Sequence, residues 1–365
     1  MAYGGTTPDD QLTEVETTDD MAAELGSAAF QLPFPVRVAN QEVGAVTQGH
    51  LAWLKRFGLL HSEEATHSYL RQQLPWLSMM LYAQATGARV AIAADLIGWI
   101  IFQDDLHDGP TGRTSRDAVA FNRVLFDLTL DVPGTPSPSP HPLHLAWVDL
   151  WRRATAGRSE TWQQRAAGSW RTWFSVYLAE ATWRERGTRL PLESFLPFRR
   201  HSFGRDLFID FVEAALDLDV PPGILDTVQM KTLRDVAFDL SAWPHEVYGL
   251  AADVARGESH NLVLLLERER GCGRADAVAE IVRMHRAQIA RWQDLRAEMP
   301  TVYDAFHLDE PTRATIERYI AGIEDLVAGN WCWHHRLAGD GRFHADVLQP
   351  TTDGLPAYLH DMGIA

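Results

Sequence analysis

The stretch VAIAADLIGWIIFQDDLHDGP, Val90–Pro110, decides how the rest of the chain is read. Val90, Ala93, Ala94, Ile97 and Ile101 recur three and four residues apart, with Phe102 alongside, and that spacing builds one apolar face of a helix. Gly109-Pro110 then predicts where the helix stops. Its last turn carries Asp104, Asp105 and Asp108. Asp104 and Asp108 share a face, and Asp105 lies about 100° round from its neighbour. Carboxylates at this end oppose the helix dipole, which favours cations there, and like charges one turn apart repel. Stability does not explain such a turn. Hard oxygen donors behind an apolar wall of Trp99, Ile100, Ile101 and Phe102 suit Mg²⁺, which takes one or two carboxylates together with substrate phosphates. The plain alternative is a polar helix end exposed to water.

Outward from this segment the period stays helical. Leu51, Leu54 and Phe57 form a stripe before Gly58, and Phe121, Val124, Leu125 and Leu128 form another. Leu196, Phe203, Leu207 and Phe211 continue the pattern, as do Ala279–Ile289 and the set Ile316, Ile320, Ile323 and Leu326. No sustained alternation calls for a sheet. VPGTPSPSPHP, Val132–Pro142, reads as a loop between helices. The expectation is an all-α chain: one large helical bundle over residues 31–345, an acidic disordered tail over 1–30, and a C-terminal tail over 346–365.

The chain has 365 residues and a formal charge of −16, with 49 acidic against 33 basic side chains. That balance repels a phosphate backbone, so no nucleic-acid partner is expected, whereas divalent cations, or an anion they carry, fit it. The apolar stretch Leu96–Phe102 falls far short of the ~20 residues of a membrane-spanning helix. No basic N-terminus followed by an apolar segment opens the chain, so a cytoplasmic location is expected. Cys272 and Cys332 are the only cysteines, too few for a disulfide framework or a Cys-rich zinc site. No phosphate-cradling glycine loop or nucleophile elbow is present.

DDLHD at Asp104–Asp108, followed by Gly-Pro, resembles the aspartate-rich motif of class I terpene synthases, particularly the bacterial terpene cyclases. Five further stretches are similar to that family in the same order: LPFPVRV (Leu32–Val38), LAWLKRFGLL (Leu51–Leu60), FLPFRRHSFG (Phe195–Gly204), HNLVLLLERERGC (His260–Cys272) and GNWCWHHRLAGDGRF (Gly329–Phe343). The resemblance implies the helical isoprenoid synthase fold and a small-molecule prenyl diphosphate substrate, farnesyl diphosphate foremost. It implies three Mg²⁺ ions, ionisation of the substrate, and steering of the carbocation to a cyclic product with release of diphosphate. A monomer or homodimer is expected.

By the same resemblance, Asp104 and Asp108 would bind metal and Asp105 would support them. Arg200 would sense the diphosphate, because Arg200 and Gly204 repeat the family's Arg-x-x-x-Gly spacing, with Arg199 as the neighbouring candidate. Phe203 and Gly204 would sit at the helix break that answers ionisation. Arg342 matches the first residue of a C-terminal Arg-Tyr pair, with Phe343 in place of the tyrosine. Trp76, Trp99, Phe102 and Trp333 are candidates for an aromatic wall around the cation, with ordinary core packing as the alternative for each.

The family's second metal motif is Asn, then Ser or Thr, then Glu, at four-residue steps, and two registers compete for it. Asn261, Leu265 and Glu269 have the spacing, but leucine cannot ligate a metal. In the other register His245, Gly249 and Asp253 take the three places and Ala252 replaces a usual basic residue. Glu246 and Asp253 share a helical stripe and could together hold a metal. Pro244 predicts a kink or a new helix start just before His245. The alternative to a cyclase is a diphosphate-binding protein without turnover, or an atypical synthase for geranyl, geranylgeranyl or a modified diphosphate. A chain-elongating prenyltransferase would need more lysines than Lys55 and Lys231.

Overall fold

The apolar stripes fold as helices in the computed structural model, which describes residues 29–339. Of the expected tails at 1–30 and 346–365, residues 1–28 and 346–365, together with Arg342 and Phe343, lie outside the described residues; Ala29 and Phe30, assigned to the first tail, are instead buried in the core. Helices α1 (Val43–Arg56), α2 (Glu63–Leu70) and α3 (Leu74–Leu81) lead into α4 (Ala88–Asp108), which ends at Gly109 before a 3-10 turn over Pro110–Gly112. Next come α5 (Ser115–Leu130), α6 (Pro142–Thr155), α7 (Glu160–Arg186), α8 (Leu192–Ser202) and α9 (Arg205–Leu216). The short α10 (Pro222–Leu225) precedes α11 (Val228–Tyr248), α12 (Leu250–Arg256), α13 (Leu262–Arg270), α14 (Arg274–Ala305) and α15 (Glu310–Gly339). Among the described residues no strand forms, and no helix is long and apolar enough to cross a membrane.

Side chains mark where helices begin. Ser62, Thr114, Ser159, Thr227 and Asn261 each accept a hydrogen bond from a backbone N–H of the first turn of α2, α5, α7, α11 and α13, a cap worth about 1 kcal/mol. The loop read from Val132–Pro142 does separate α5 from α6, with Pro142 as the first residue of the new helix. Pro244 behaves otherwise than predicted: α11 runs through it to Tyr248, and the break comes at Gly249. The turn it disturbs is supported from α15, where the Asn330 amide donates to the Ser241 carbonyl at 3.2 Å.

Packing places α4 against α1, α3 and α6, while α11 lies along α14 and α15, and α9 bridges α7 and α15. At Gly329, α15 comes so close to α3 that an added Cβ would stand 2.7 Å from the Met80 carbonyl carbon. Between α4, α6 and α7 the core is a cluster of Trp99, Trp147, Trp170, Trp173 and Phe174, with Trp99 and Trp147 ring centres 4.7 Å apart. Each such pair adds about 0.5–1.5 kcal/mol to the area it buries. The Trp99 indole N–H donates to the Leu143 carbonyl at 2.9 Å. Phe102 is fully buried and stacks on Tyr69 at 5.3 Å. Both therefore belong to the core behind α4 rather than to an aromatic wall facing a ligand, which corrects the expectation for these two.

Candidate active site

One face of α4 stays apolar until its last turn, and the space beside it is a cavity of about 220 Å³. Its walls are Leu77 and Leu81 from α3, Ile97, Ile100 and Ile101 from α4, Trp173 from α7 and Phe208 and Ile209 from α9. Phe238 from α11 and Ile323, Leu326, Val327 and Trp333 from α15 complete them, with Phe203 at the end of α8. The charged residues gather at one end, Asp104, Asp105 and Asp108 from α4, Arg199 from α8, and Asp253 and Arg256 from α12, with His245 from α11, while Ser202, Ser241, Asn330 and His334 add further polar groups to the lining. That end is the open one. Asp104 and Asp108 are exposed, whereas Trp333 and Phe208 are buried or half-buried.

Water reaches Asp104 at this mouth, yet protein surrounds its carboxylate closely. Burial first, then the charges of Asp108, Asp105 and Glu180, push the Asp104 carboxyl well above the usual carboxylate range against the pull of Arg199. The Tyr177 hydroxyl donates to Asp104 Oδ1 at 3.3 Å. Burial also pushes Glu180 up to about 7, although Arg184 and Arg199 pull it down. The α4 end thus holds more negative charge than its neighbours neutralise, which is the electrostatic condition for recruiting a divalent cation. Among the described residues no three His, Cys, Asp or Glu groups converge as a closed metal cage. Mg²⁺ does not require one, because it retains waters and shares its coordination with substrate phosphates.

The two arginines of α8 face different ways. Arg199 lines the cavity, its guanidinium 2.7 Å from Glu246 and stacked over the Phe203 ring at 5.2 Å. Arg200 lies outside the cavity lining and pairs with Asp239 at 2.7 Å and Asp235 at 3.2 Å. The spacing to Gly204 pointed to Arg200, but a one-residue step turns a helical side chain by about 100°, so Arg199 is the one presented to a ligand. The helix break expected at Phe203 and Gly204 is present: α8 ends at Ser202, and Gly204 takes a left-handed conformation at φ 87° before α9. Phe203 lines the cavity and Gly204 stands just outside it.

Of the two registers for the second motif, only His245, Gly249 and Asp253 reach the cavity. Asn261 instead caps α13, Leu265 is fully buried, and Glu269 accepts the Leu192 N–H at 2.7 Å. Glu246 is not in the lining either; it is buried, paired with Arg199, and accepts the Leu262 N–H at 2.9 Å. His245 Nδ1 lies 2.7 Å from His334 Nε2, and His334 Nδ1 lies 2.8 Å from the Asn330 carbonyl. A carbonyl only accepts, so His334 Nδ1 carries the proton and His245 donates to its other nitrogen. Asp253 accepts from the Asn261 amide at 2.9 Å and from Arg256 at 2.8 Å.

Of the other aromatic candidates, Trp333 lines the cavity and Trp76 does not. Trp173, Phe208, Phe238, His334 and Arg256 line it without having been singled out in the sequence. Arg256 had a signal: it lies one helical turn beyond Ala252, where a basic residue is missing. The aromatic residues had none, because apolar spacing does not separate cavity wall from core.

The model of "Terpene synthase family 2, C-terminal metal binding" matches residues 95–291. The (−)-β-caryophyllene synthase of Saccharothrix espanaensis, described as cyclising (2E,6E)-farnesyl diphosphate, is 33% identical over 92% of this chain and 93% of its own length. The pentalenene synthase of Streptomyces exfoliatus is 30% identical over 92% of this chain and 97% of its own. Among solved structures, germacradien-4-ol synthase from Streptomyces citricolor superposes with a TM-score of 0.76 at 27% identity, covering 85% of this chain and 99% of the other. An a-eudesmol synthase superposes with a TM-score of 0.75 at 28% identity, covering 83% and 97%.

Proposed function

The chain belongs to the bacterial class I terpene synthases, and we propose that it cyclises farnesyl diphosphate in the presence of Mg²⁺, releasing inorganic diphosphate. It is a terpene cyclase that uses a divalent metal. One observation supports the reading above all: a carboxylate-rich mouth on a cavity whose remaining wall is mostly aliphatic and aromatic. Farnesyl diphosphate is favoured because a relative covering nearly the whole chain is described as cyclising it.

Asp104 and Asp108, with Asp105 beside them, have the donors to hold the metal, since their mutual repulsion is what a divalent cation relieves. Bound there, the metal supplies Lewis acidity that stabilises the departing diphosphate. Of the three ions expected by resemblance, those on α4 have fitting ligands. The His245, Gly249 and Asp253 end does not: Gly249 has no side chain, and Asp253 already accepts from Asn261 and Arg256.

The chain's own residues account for the rest. Arg199 presents a planar fork of N–H donors at the mouth, suited to diphosphate oxygens, in a charge-assisted bond stronger than a neutral one. Its charge is secure: burial works against it, but Glu246, Asp253 and Glu180 together raise its pKa. The aliphatic wall keeps water from the allylic carbon once the substrate fills the cavity. The faces of Phe203, Phe208, Phe238, Trp173 and Trp333 line the same space, and a desolvated cation gains about 2 kcal/mol or more from a well-placed ring.

Purified protein incubated with Mg²⁺ and, in turn, geranyl, farnesyl and geranylgeranyl diphosphate tests the proposal by gas chromatography of the extract and assay of diphosphate. A cyclic C15 product with equimolar diphosphate from the farnesyl substrate is expected. Intact farnesyl diphosphate, or consumption of another chain length alone, contradicts it.

A further inference from the structure

Two uncharged polar residues interrupt the hydrocarbon wall below the mouth: Ser241 of α11 and Asn330 of α15. Ser241 lies one turn before His245, and Asn330 one turn before His334, the two histidines being in contact at 2.7 Å. Both helices run towards the mouth, and one turn is about 5.4 Å. Ser241 and Asn330 therefore stand a turn below the charged rim, above the deeper Phe238 and Ile323. Ser202 differs, because Arg199 holds its hydroxyl at 3.2 Å and ties it to the rim. The Asn330 amide donates through Nδ2 to the Ser241 carbonyl at 3.2 Å. A carbonyl only accepts, which fixes the amide with its nitrogen towards α11 and Oδ1 on the other branch. Oδ1 accepts no hydrogen bond from any described residue. The Ser241 hydroxyl donates its proton to the Ala237 carbonyl at 3.3 Å, so towards the cavity it offers only lone pairs. Acceptors left facing hydrocarbon cost free energy, and a cavity built only to exclude water would carry alanine and leucine here.

We infer that Asn330 and Ser241 hold one water inside the cavity and deliver it to the cyclised carbocation, so that the product is a cyclic terpene alcohol rather than a hydrocarbon. Two acceptors and no donor decide how the water sits. It gives its hydrogens to Asn330 Oδ1 and Ser241 Oγ, the two polar partners a cavity water needs, and its own lone pairs then face the middle of the cavity. That is the orientation of a nucleophile. The C–O bond to diphosphate breaks with its electron pair on the diphosphate, and a lone pair of the water forms the new C–O bond to the cyclised cation. The proton lost by the resulting oxonium goes to an oxygen of the released diphosphate. Farnesyl diphosphate and one water thus become one cyclic alcohol and one protonated diphosphate, with no oxidant or reductant. Depth sets the timing. Water at the rim would trap the allylic cation before it cyclised, whereas water one turn deeper meets the cation after the chain has folded into the cavity.

The inference rests on the cyclisation of farnesyl diphosphate proposed above, and isotope labelling separates the two. Purified protein, Mg²⁺ and farnesyl diphosphate are incubated in heavy-oxygen water, and the products are resolved by gas chromatography with mass spectrometry. The wild-type protein is expected to yield a cyclic alcohol two mass units heavier than in ordinary water. Ser241→Ala removes one acceptor and keeps the backbone carbonyl that Asn330 holds; Asn330→Leu removes the other acceptor. Each is expected to lower the ratio of cyclic alcohol to cyclic hydrocarbon by on the order of 10-fold, the scale of one lost hydrogen bond. That ratio does not depend on how much folded enzyme is present, so a merely structural loss leaves it in place, and circular dichroism checks the fold of each variant. Cyclic hydrocarbon alone from the wild-type protein, or a ratio that either substitution leaves unchanged, overturns the inference while the cyclase assignment stands. A labelled alcohol that is only acyclic puts the water at the rim and overturns the inference together with cyclisation. If farnesyl diphosphate stays intact, the proposed function fails, and this inference with it.

Discussion

Adjacent arginines on α8 do different work because successive helical side chains point about 100° apart. Arg199 faces the cavity mouth, whereas Arg200 neutralises Asp239, whose side chain is only 3% exposed. Arg199→Gln should therefore lower turnover, and it should also destabilise the fold by roughly 2–3 kcal/mol, because the buried Glu246 loses its partner. Arg200→Gln should leave the Michaelis constant near wild type but destabilise the protein by roughly 2–3 kcal/mol in denaturant unfolding, because a buried carboxylate loses its partner. The aspartates allow an equally sharp expectation. Asp104→Asn should slow diphosphate release at least about 100-fold, the scale of losing a group that stabilises the leaving oxyanion. Glu180 supplies a pH signature. Its carboxyl is raised by burial from 4.5 to about 7, so the folded state holds the proton more tightly than the unfolded state. Stability is therefore lost as pH climbs from 4.5 towards 7 and is flat above that. Metal-free Glu180→Gln should melt higher than wild type at pH 8, by about 1–3 kcal/mol after solvent screening, with the gap closing towards pH 4.5.

At the scale of elements, close approach and backbone conformation set the shape of the cavity. An alanine at Gly329 would put its Cβ 2.7 Å from the Met80 carbonyl carbon and 2.9 Å from the Leu81 nitrogen. Backbone cannot yield as a side chain does, so Gly329→Ala should push α15 off α3 and cost about 1–3 kcal/mol in chemical denaturation. Gly204 takes φ 87°, and a Cβ there would press Phe208 at 3.0 Å. Gly204→Ala should then both destabilise the α8–α9 break by about 1–3 kcal/mol and alter the product mixture, since Phe208 is part of the wall. The elements themselves were largely legible. Stripes at Val90–Phe102 and Ile316–Leu326, the proline-rich loop and the break at Gly204 all follow from period and punctuation. What escaped was decided by tertiary contact. Pro244 stays inside α11, where α15 reaches the disturbed turn through Asn330. Trp99 and Phe102 turned out to be core because the neighbouring tryptophans of α6 and α7, and Tyr69 of α2, lie on their side of α4. Which face of an apolar helix meets a cavity and which meets another helix is not written in its periodicity.

Across the whole molecule, charge is divided as the reaction requires. The chain's −16 net charge does not spread into the cavity: carboxylates concentrate at its open end, and the rest is mostly hydrocarbon with the uncharged polar groups of Ser202, Ser241 and Asn330. On the proposed function, metal and diphosphate would meet the arginines at the mouth, and the substrate's hydrocarbon chain would extend into the apolar space behind it. This division was foreseeable from α4 alone, whose apolar face runs into three aspartates; the arginines that complete the mouth were not, since they arrive from α8 and α12. The most direct measurement is anomalous scattering from crystals of the protein grown with Mn²⁺ and inorganic pyrophosphate. Manganese peaks are expected at about 2.0–2.2 Å from carboxylate oxygens of Asp104 or Asp108, with pyrophosphate bridging them to Arg199. Pyrophosphate bound elsewhere, or an α4 terminus without manganese at saturating concentration, would contradict a metal-gathering mouth.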